Sequence, residues 1–305
     1  MSNQIICGDI TSTLINFSGA DVDLAIIDPP YLSVVKEDWD NKWSSTSDYL
    51  NWTLGWVNAL YSSMRFGGTV YLYGCSKNLL TLSAVGIQMQ NAGFEFRQEI
   101  VIDKGYRSAA GRTSQFQKCF PMVSENILYF VKDAKPYIKS LLKSRQEDKG
   151  FSAKEMNEAL GFKSNGGGNW TKYAGDTNFP LVPTEVHWNK LRDVLEIDIP
   201  YEKVGTVFNT EWGITNVWSD INFYTKRQHP TEKPISLAER LIRVSSNPEN
   251  LVLDLFCGSG NVSLASKRLN RRSIGIDIDA NYCAIAERKI TLNSQNEFDT
   301  IQTTE

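Results

Sequence analysis

The tetrapeptide Asp28-Pro29-Pro30-Tyr31 follows directly on the apolar run Val22 to Ile27, and no other feature constrains the fold as strongly. A short apolar run of this kind predicts a strand buried in a parallel sheet, with the tetrapeptide at its carboxyl end. Open α/β sheets bind their ligands at that edge. The Asp28 carboxylate and the Pro29 carbonyl can accept hydrogen bonds from an amino group, and Tyr31 offers a face for a planar base. The alternative is an ordinary proline turn with a packed tyrosine.

A glycine-rich turn follows a second apolar run, Leu251 to Leu255, and leads into a helical pattern. Its sequence, Phe256-Cys257-Gly258-Ser259-Gly260, would let the backbone approach a ligand closely. A further short strand ends at Asp277, at about the 20-residue spacing at which doubly wound folds place a carboxylate against ribose hydroxyls. A nicotinamide or flavin dinucleotide could use the same turn. However, Ser263 stands where the pyrophosphate pattern expects a third glycine, which favours a nucleoside without pyrophosphate.

A third motif, His229-Pro230-Thr231-Glu232-Lys233-Pro234, lies just before the glycine strand. In this order the three motifs resemble those of the beta group of amino-methylating DNA methyltransferases, whose catalytic and cofactor halves are circularly permuted. The resemblance covers residues 1–130 and 226–292. It implies a doubly wound, mostly parallel α/β sheet of the Rossmann-like methyltransferase type, and S-adenosylmethionine as the cofactor.

The resemblance also implies roles for individual residues. It assigns Asp28, Pro29, Pro30 and Tyr31 to catalysis, and it places Lys233 near the carboxylate of the cofactor. Asp9 is expected on the cofactor side, but it could instead cap the helix that follows it. Lys233 could likewise be an ordinary charged residue ahead of a helix. The residues expected around the cofactor are Asp9, His229, Thr231, Lys233, Asp254, Phe256, Cys257, Gly258, Ser259, Gly260 and Asp277.

The implied reaction is direct transfer of a methyl group to the exocyclic amine of a flipped-out base. Family members with Asp at the first position of the tetrapeptide mostly methylate adenine N6, and those with Ser mostly methylate cytosine N4, so Asp28 favours adenine. Three alternatives stay open: a cytosine-N4 enzyme, a methyltransferase acting on RNA or on protein glutamine, and a non-catalytic DNA-binding subunit.

The motifs divide the chain into four segments. Residues 1–132 form the catalytic half, 226–293 the cofactor half and 294–305 a polar tail. Between the halves, residues 133–225 break the alternation of strand and helix, and we expect a target-recognition insertion there, the alternative being a plain structural subdomain. A capping-box pattern, Ser152 with Glu155, predicts one short helix, and Glu185 to Leu195 predicts another. One of these two helices could be presented to a DNA groove.

Two aromatic segments follow the tetrapeptide. Residues 36–43 are polar, acidic and tryptophan-bearing and predict a loop, which could lie over the site and close around a base or could be a surface loop whose tryptophans pack back on the body. Tyr49, Trp52, Trp56 and Leu60 recur at helical spacing, which predicts core positions.

The overall charge is not that of a typical nucleic-acid binder, since the formal net charge is −3 and the pI is near 5.6. Basic residues nevertheless outnumber acids between Arg97 and Arg145. We expect Lys104, Arg107 and Arg112 to contact DNA phosphates. The implied partner is double-stranded DNA. A second copy of the chain and a cognate restriction endonuclease remain open as further partners, and no membrane is expected.

The composition fits a folded enzyme of the cytoplasm. With 305 residues and 41% apolar content, the chain can hold one large α/β domain with an insertion, or two domains. The five cysteines include no Cys-x-x-Cys pair, and no signal peptide or membrane-length apolar run is present. The two histidines do not have metal-ligand spacing, so no metal is expected.

Overall fold

The computed structural model describes residues 3–19, 21–32, 42–105, 108, 120–162, 168–210, 213–223 and 232–302. The strands in these ranges are β1 (Gln4–Cys7), β2 (Val22–Ile27), β3 (Met64–Cys75), β4 (Phe94–Asp103), β5 (Ser124–Lys132), β6 (Val217–Trp218), β7 (Leu251–Asp254) and β8 (Arg272–Asp277). They form one sheet in the order β1-β8-β7-β2-β3-β5-β4-β6. Strand β5 is antiparallel to both of its neighbours, and the other neighbouring pairs are parallel.

Helices cover both faces of this sheet. The helices of the described residues are α1 (Ile10–Ile15), α2 (Thr46–Ser63), α3 (Leu79–Asn91), α4 (Lys135–Lys149), α5 (Ala153–Ala159), α6 (Asn169–Ala174), α7 (Glu185–Leu195), α8 (Ile235–Ser245), α9 (Asn261–Arg268) and α10 (Ala280–Gln302). Side chains of β2 alternate between the faces, because successive residues of a strand point in opposite directions. Ala25 and Ile27 pack with α1, α2 and α3, whereas Leu24 and Ile26 pack with α8 and α9. The predicted doubly wound, mostly parallel fold is confirmed.

The tetrapeptide and the glycine-rich turn are far apart in the sequence but follow neighbouring strands of the sheet. Strand β2 pairs with β7, and Ile26 lies opposite Asp254. The tetrapeptide and the glycine-rich turn therefore leave the sheet side by side at its carboxyl edge.

Helices α4 to α7 form a separate body with a core of its own. Trp170 and Trp188 are buried in this core among aliphatic side chains such as Leu142 and Leu191. The capping box at Ser152 and Glu155 is present, and α7 has the bounds that its sequence pattern predicts. The sequence did not predict α6, which lies within a glycine-rich polar stretch.

This helical body is attached to the amino edge of the sheet, at the start of β3. Arg65 pairs with Asp23 at 2.6 Å, and its Nη1 donates to the carbonyl of Gly205 at 2.9 Å. The second Asp23 oxygen accepts from the backbone N–H of Leu251 at 2.8 Å. Strand β5 crosses the sheet to this edge, a span of roughly 27 Å at about 3.4 Å per residue. The two short helices of which one was expected to face a DNA groove, α5 and α7, thus belong to a body at the edge opposite the tetrapeptide.

The chain then returns along the outer side of β4. Val217 and Trp218 of β6 pair with Val101 and Ile102, close to the carboxyl edge. We call residues 213–223 the return segment. At the other end of the chain, α10 continues to Gln302 and so includes most of the predicted polar tail. None of the helices described here is both long enough and apolar enough to span a membrane.

Candidate active site

A cavity of about 530 Å³ opens at the carboxyl edge between the ends of β2 and β7. The complete tetrapeptide and the turn from Phe256 to Ser259 line it. Four further residues expected around the cofactor also line it: Asp9, Lys233, Asp254 and Asp277. Gly260 does not line the cavity, and His229 and Thr231 lie outside the described residues.

Lys233 is bonded directly to the tetrapeptide. Its Nζ donates to Oδ1 and Oδ2 of Asp28 at 3.1 and 2.9 Å and lies 3.0 Å from the hydroxyl of Tyr31. The Tyr31 hydroxyl itself donates to Asp28. Sequence reasoning expected Lys233 at the carboxylate of the cofactor, whereas the structure pairs it with the carboxylate of Asp28.

The backbone after the tetrapeptide is held by two side chains. The hydroxyl of Tyr49 in α2 donates to the carbonyl of Pro30 at 2.8 Å. The amide of Asn78 donates to the carbonyl of Leu32 at 2.9 Å and also to that of Tyr31. The backbone from Pro30 to Leu32 is thereby held by α2 and by the turn between β3 and α3.

Glu125 is a further acid of the site, and sequence reasoning missed it. Its Oε1 accepts from Lys104 at 3.0 Å, and its Oε2 lies 3.6 Å from Nζ of Lys233. Burial raises the pKa of Glu125, but the charges of Lys233 and Lys104 outweigh burial and lower the pKa overall. An acid at the start of an apolar strand has no recognisable motif. Glu125 lies at the carboxyl edge of the sheet because β5 runs antiparallel to its neighbours, so that the start of β5 lies at this edge.

Asp277 holds the glycine-rich turn. Its Oδ2 accepts from the backbone N–H of Gly258 at 2.8 Å, and its Oδ1 accepts from that of Asp279 at 2.9 Å. Gly258 and Gly260 have φ angles of 46° and 80°, in the left-handed region that favours glycine. A Cβ at Gly260 would lie 2.7 Å from the Cβ of Ala286 in α10, so this glycine serves helix packing.

Asp254 lies beneath the cavity and is 3% exposed. Burial, reinforced by the negative charges of Asp277 and Asp28, raises its pKa well above the usual range. Burial likewise raises the pKa of the Cys257 thiol, and nearby carboxylates add to this shift. Cys257 is therefore a poor source of thiolate, and its place in the turn is structural rather than nucleophilic.

A polar cluster joins the lysine segment to the glycine-rich turn. Nζ of Lys289 lies 3.1 Å from Glu232, 3.1 Å from Ser259 and 2.8 Å from Asn261. The amide of Asn261 donates to the carbonyl of Lys233 at 2.8 Å, which anchors the backbone behind the Lys233 side chain. Sequence reasoning missed Lys289 and Asn261, since neither belongs to a motif.

Asp9 and Trp52 both line the cavity, and each also has a structural contact: Asp9 caps a helix and Trp52 packs partly against the core. Asp9 caps α1 by accepting from the N–H of Ser12 at 2.9 Å, as the alternative interpretation predicts, and it also lines the cavity, where its contact with the cofactor stays a prediction. Trp56, Tyr49 and Leu60 are buried as predicted. Trp52, predicted as a core residue, is only partly buried and lines the cavity.

Aromatic rings form one wall of the cavity. The ring centroids of Trp52 and Phe256 are 5.8 Å apart, and those of Trp43 and Trp52 are 4.7 Å apart. Trp43 belongs to the predicted loop over the site, and residues 36–41 of that loop lie outside the described residues.

The predicted phosphate contacts are only partly visible. Lys104 is engaged with Glu125, and Arg107 and Arg112 lie outside the described residues. Lys132, counted in the basic excess, is 7% exposed and donates to the carbonyls of Tyr61 and Met64 at 2.7 and 2.8 Å. It therefore stabilises the end of α2 and is buried rather than part of a basic surface. The described residues hold no group of three or more His, Cys, Asp or Glu that could hold a metal ion.

A permuted sheet that ends its two central strands in an acidic tetrapeptide and a glycine-rich turn defines a methyltransferase domain of the Rossmann-like type. The sequence profile of the DNA methylase family, which covers N6 and N4 enzymes, matches residues 22–288. The chain belongs to this family, and it is a DNA methyltransferase.

Characterised relatives match along most of their length. The chain is 29% identical to the type II methyltransferase M1.MboII of Moraxella bovis over 283 residues, which is 92% of both chains. It is 25% identical to the type II methyltransferase M.HpaI of Haemophilus parainfluenzae over 311 residues, covering 99% of this chain and 78% of that one.

Solved structures share the fold. The complex of M1.HpyAVI with S-adenosylmethionine (SAM) superposes with a TM-score of 0.57 at 19% identity, covering 94% of this chain and 100% of that one. The cytosine-N4-specific PvuII DNA methyltransferase superposes with a TM-score of 0.58 at 16% identity, covering 95% and 86%.

Proposed function

We propose that the chain transfers a methyl group from S-adenosylmethionine to N6 of a flipped-out adenine in double-stranded DNA. The observation that carries this proposal is the joint opening of the tetrapeptide and the glycine-rich turn into one cavity of about 530 Å³. That volume lies within the usual range for small-molecule and cofactor sites, and its walls combine apolar rings with a few polar groups.

S-adenosylmethionine is the cofactor, and the residues around the turn suit it. Asp277 offers a carboxylate to ribose hydroxyls, and Phe256 with Trp52 offers apolar surface to an adenine ring. Lys289 and Ser259 lie in the polar cluster nearby and suit a charged amino-acid group. When bound, S-adenosylmethionine supplies an electrophilic methyl group. Two structural neighbours, M1.HpyAVI and TTHA0409 of Thermus thermophilus, are complexes with it.

Asp28 and Pro29 act on the target amine. The carboxylate of Asp28 accepts one N–H and the carbonyl of Pro29 accepts the other, which orients the nitrogen lone pair toward the methyl group. Both groups also stabilise the positive charge that develops on the nitrogen. The ring of Tyr31 stacks on the extruded base and offsets part of the stacking lost from the duplex.

The choice of adenine rests on Asp28, because family members that methylate cytosine mostly carry Ser at this position. Cytosine N4 is the alternative target, since PvuII methyltransferase has the same fold.

DNA recognition is assigned to residues 133–225, with residues 1–132 and 226–293 as the two halves of the methyltransferase domain. Among the described residues of the insertion, the return segment reaches the carboxyl edge, because β6 pairs there with β4. Arg107 and Arg112 are proposed to contact phosphates, and Lys104 can do so if it leaves Glu125. M1.MboII and M.HpaI are type II methyltransferases, so a cognate restriction endonuclease is the partner to seek, and a homodimer is to be tested by light scattering.

The test is to express the wild-type chain and Asp28→Ala in a host that lacks DNA methylation, and to sequence the modified bases. We expect N6-methyladenine at one recognition sequence with the wild type and none with Asp28→Ala. Asp28→Ala should still bind S-adenosylmethionine within a few-fold of the wild type. Methylated cytosine at a fixed site would overturn the choice of adenine, and unmodified DNA from the wild type would overturn the proposal as a whole.

A further inference from the structure

Lys233 occupies the acceptors that the target amine needs. Both oxygens of Asp28 accept from its ammonium group, at 3.1 and 2.9 Å, and the two side chains are only 24% and 13% exposed. On the proposed function, on which this inference rests, an amine that binds Asp28 must therefore compete with Lys233. An ammonium group that stayed on Asp28 would also repel the positive charge that develops on the methylated nitrogen.

Removing Lys233 from Asp28 requires a second partner for its charge. A charged group that is mostly shielded from water loses much stability when a close counter-ion is taken away and is not replaced. The displaced ammonium group thus needs another carboxylate within reach, or the displacement is too costly to occur during turnover.

Glu125 meets that requirement. Its Oε2 is buried, makes no hydrogen bond among the described residues, and lies 3.6 Å from Nζ of Lys233. Its Oε1 is engaged by Lys104 at 3.0 Å, which fixes the direction of the carboxylate. A buried carboxylate oxygen without a hydrogen bond is costly and calls for an explanation. Reception of the ammonium group of Lys233 provides one.

We propose that Glu125 is a positioning residue that receives Lys233 from Asp28 when the target amine enters the site. Lys233 moves from one carboxylate to the other and keeps its proton and its positive charge throughout. Asp28 becomes available to the base only through this exchange. Glu125 touches neither the base nor the cofactor and acts through Lys233.

The competing explanation is that Glu125 only neutralises Lys104 and keeps the end of β5 in place. A double-mutant cycle separates the two, because a structural role does not depend on Lys233. The variants are Glu125→Gln, Lys233→Met and the two combined. Their methyl transfer is measured on a duplex that carries the recognition sequence identified by base-modification sequencing.

The expected result is a coupled loss. Glu125→Gln leaves Lys233 on Asp28, so kcat should fall about tenfold or more, while KM for DNA and the Kd for S-adenosylmethionine stay within about threefold. In the Lys233→Met background the same change should lower kcat by less than about threefold, because no ammonium group has to move. Equal losses of kcat in the two backgrounds would overturn the proposal.

Two further variants guard the measurement. Glu95→Gln is the matched control, since Glu95 pairs with Lys135 away from the catalytic edge and should leave kcat unchanged. Glu125→Asp keeps the charge and should recover most of the activity. If Glu125→Gln does not fold, Glu125→Ala, which also removes the carboxylate, and its combination with Lys233→Met replace it in the cycle. A wild-type chain that methylates no DNA would contradict the proposed function, whereas an active wild type with independent effects would contradict this inference alone.

Discussion

The carboxylate of Asp277 accepts a hydrogen bond at 2.8 Å from the backbone N–H of Gly258, so the residue expected to bind ribose also holds the turn beside it. The two residues come from different strand ends, because Asp277 ends β8 and Gly258 follows β7. The ribose contact proposed for Asp277 and the shape of the turn therefore depend on the same side chain.

Asp277→Ala is expected to raise the Kd for S-adenosylmethionine about tenfold or more, because a hydrogen bond to a charged group contributes about 1.5–3 kcal/mol. Asp277→Asn loses the negative charge, so it should still weaken the binding of S-adenosylmethionine. Because it retains an acceptor for Gly258, it should unfold at a higher temperature than Asp277→Ala. Calorimetric titration and thermal melts measure both effects, with Asp193→Ala on the exposed side of α7 as the control. Unchanged affinity in Asp277→Ala would refute the ribose assignment.

Arg65→Met tests the attachment of the helical body to the sheet. The pair Arg65–Asp23 has side chains that are 3% and 11% exposed, so the change leaves a buried carboxylate without its counter-ion. We expect a loss of about 3–5 kcal/mol in the free energy of unfolding. Lys203→Met is the matched control at the same edge, where the pair Lys203–Asp21 is 49% and 55% exposed and should contribute at most about 1 kcal/mol. Urea denaturation measures both, and similar losses would contradict the role given to Arg65.

Asp254→Asn should change how stability depends on pH. The raised pKa of Asp254 means that the folded chain retains a proton on this carboxyl at pH values where the unfolded chain, with a pKa of about 3.9, has released it. The resulting stabilisation is fully present below about pH 4 and is lost as the pH rises through the raised pKa. The free energy of unfolding of the wild type should therefore fall relative to that of Asp254→Asn as the pH rises from about 4 toward the raised pKa of Asp254. Urea denaturation across this range is the measurement, and a constant difference would show that Asp254 titrates normally.

A matched pair of exposed asparagines tests which part of the insertion reads DNA. Asn222 lies in the return segment at the carboxyl edge, whereas Asn189 lies in α7 on the helical body. Asn222→Ala should narrow the affinity gap between cognate and scrambled duplexes by about 1–3 kcal/mol, the usual contribution of a base contact. Asn189→Ala should leave the gap unchanged. The opposite pattern in a binding series at fixed salt would assign recognition to the helical body.

The sequence by itself determined the strands that carry the site and the local structure of several helices. Apolar runs that end in Asp28 and in the glycine-rich turn specify buried strands with ligand-binding ends, because this information is local. The capping box at Ser152 and the bounds of α7 are equally local and were predicted correctly. The family and its cofactor follow from the order of three motifs along the chain.

Tertiary structure alone decided how these parts meet. Helical spacing marks Trp52 as inward-facing but cannot tell a core from the wall of a cavity, since both lie on the same side of α2. The place of the helical body at the amino edge depends on the buried pair of Arg65 and Asp23, which no motif announces. Glu125 reaches the site because hydrogen bonds to β3 and β4 make β5 antiparallel. Strand direction is set by pairing between residues far apart in the chain, and for that physical reason the arrangement of Lys233 between Asp28 and Glu125 could be seen only in the folded protein.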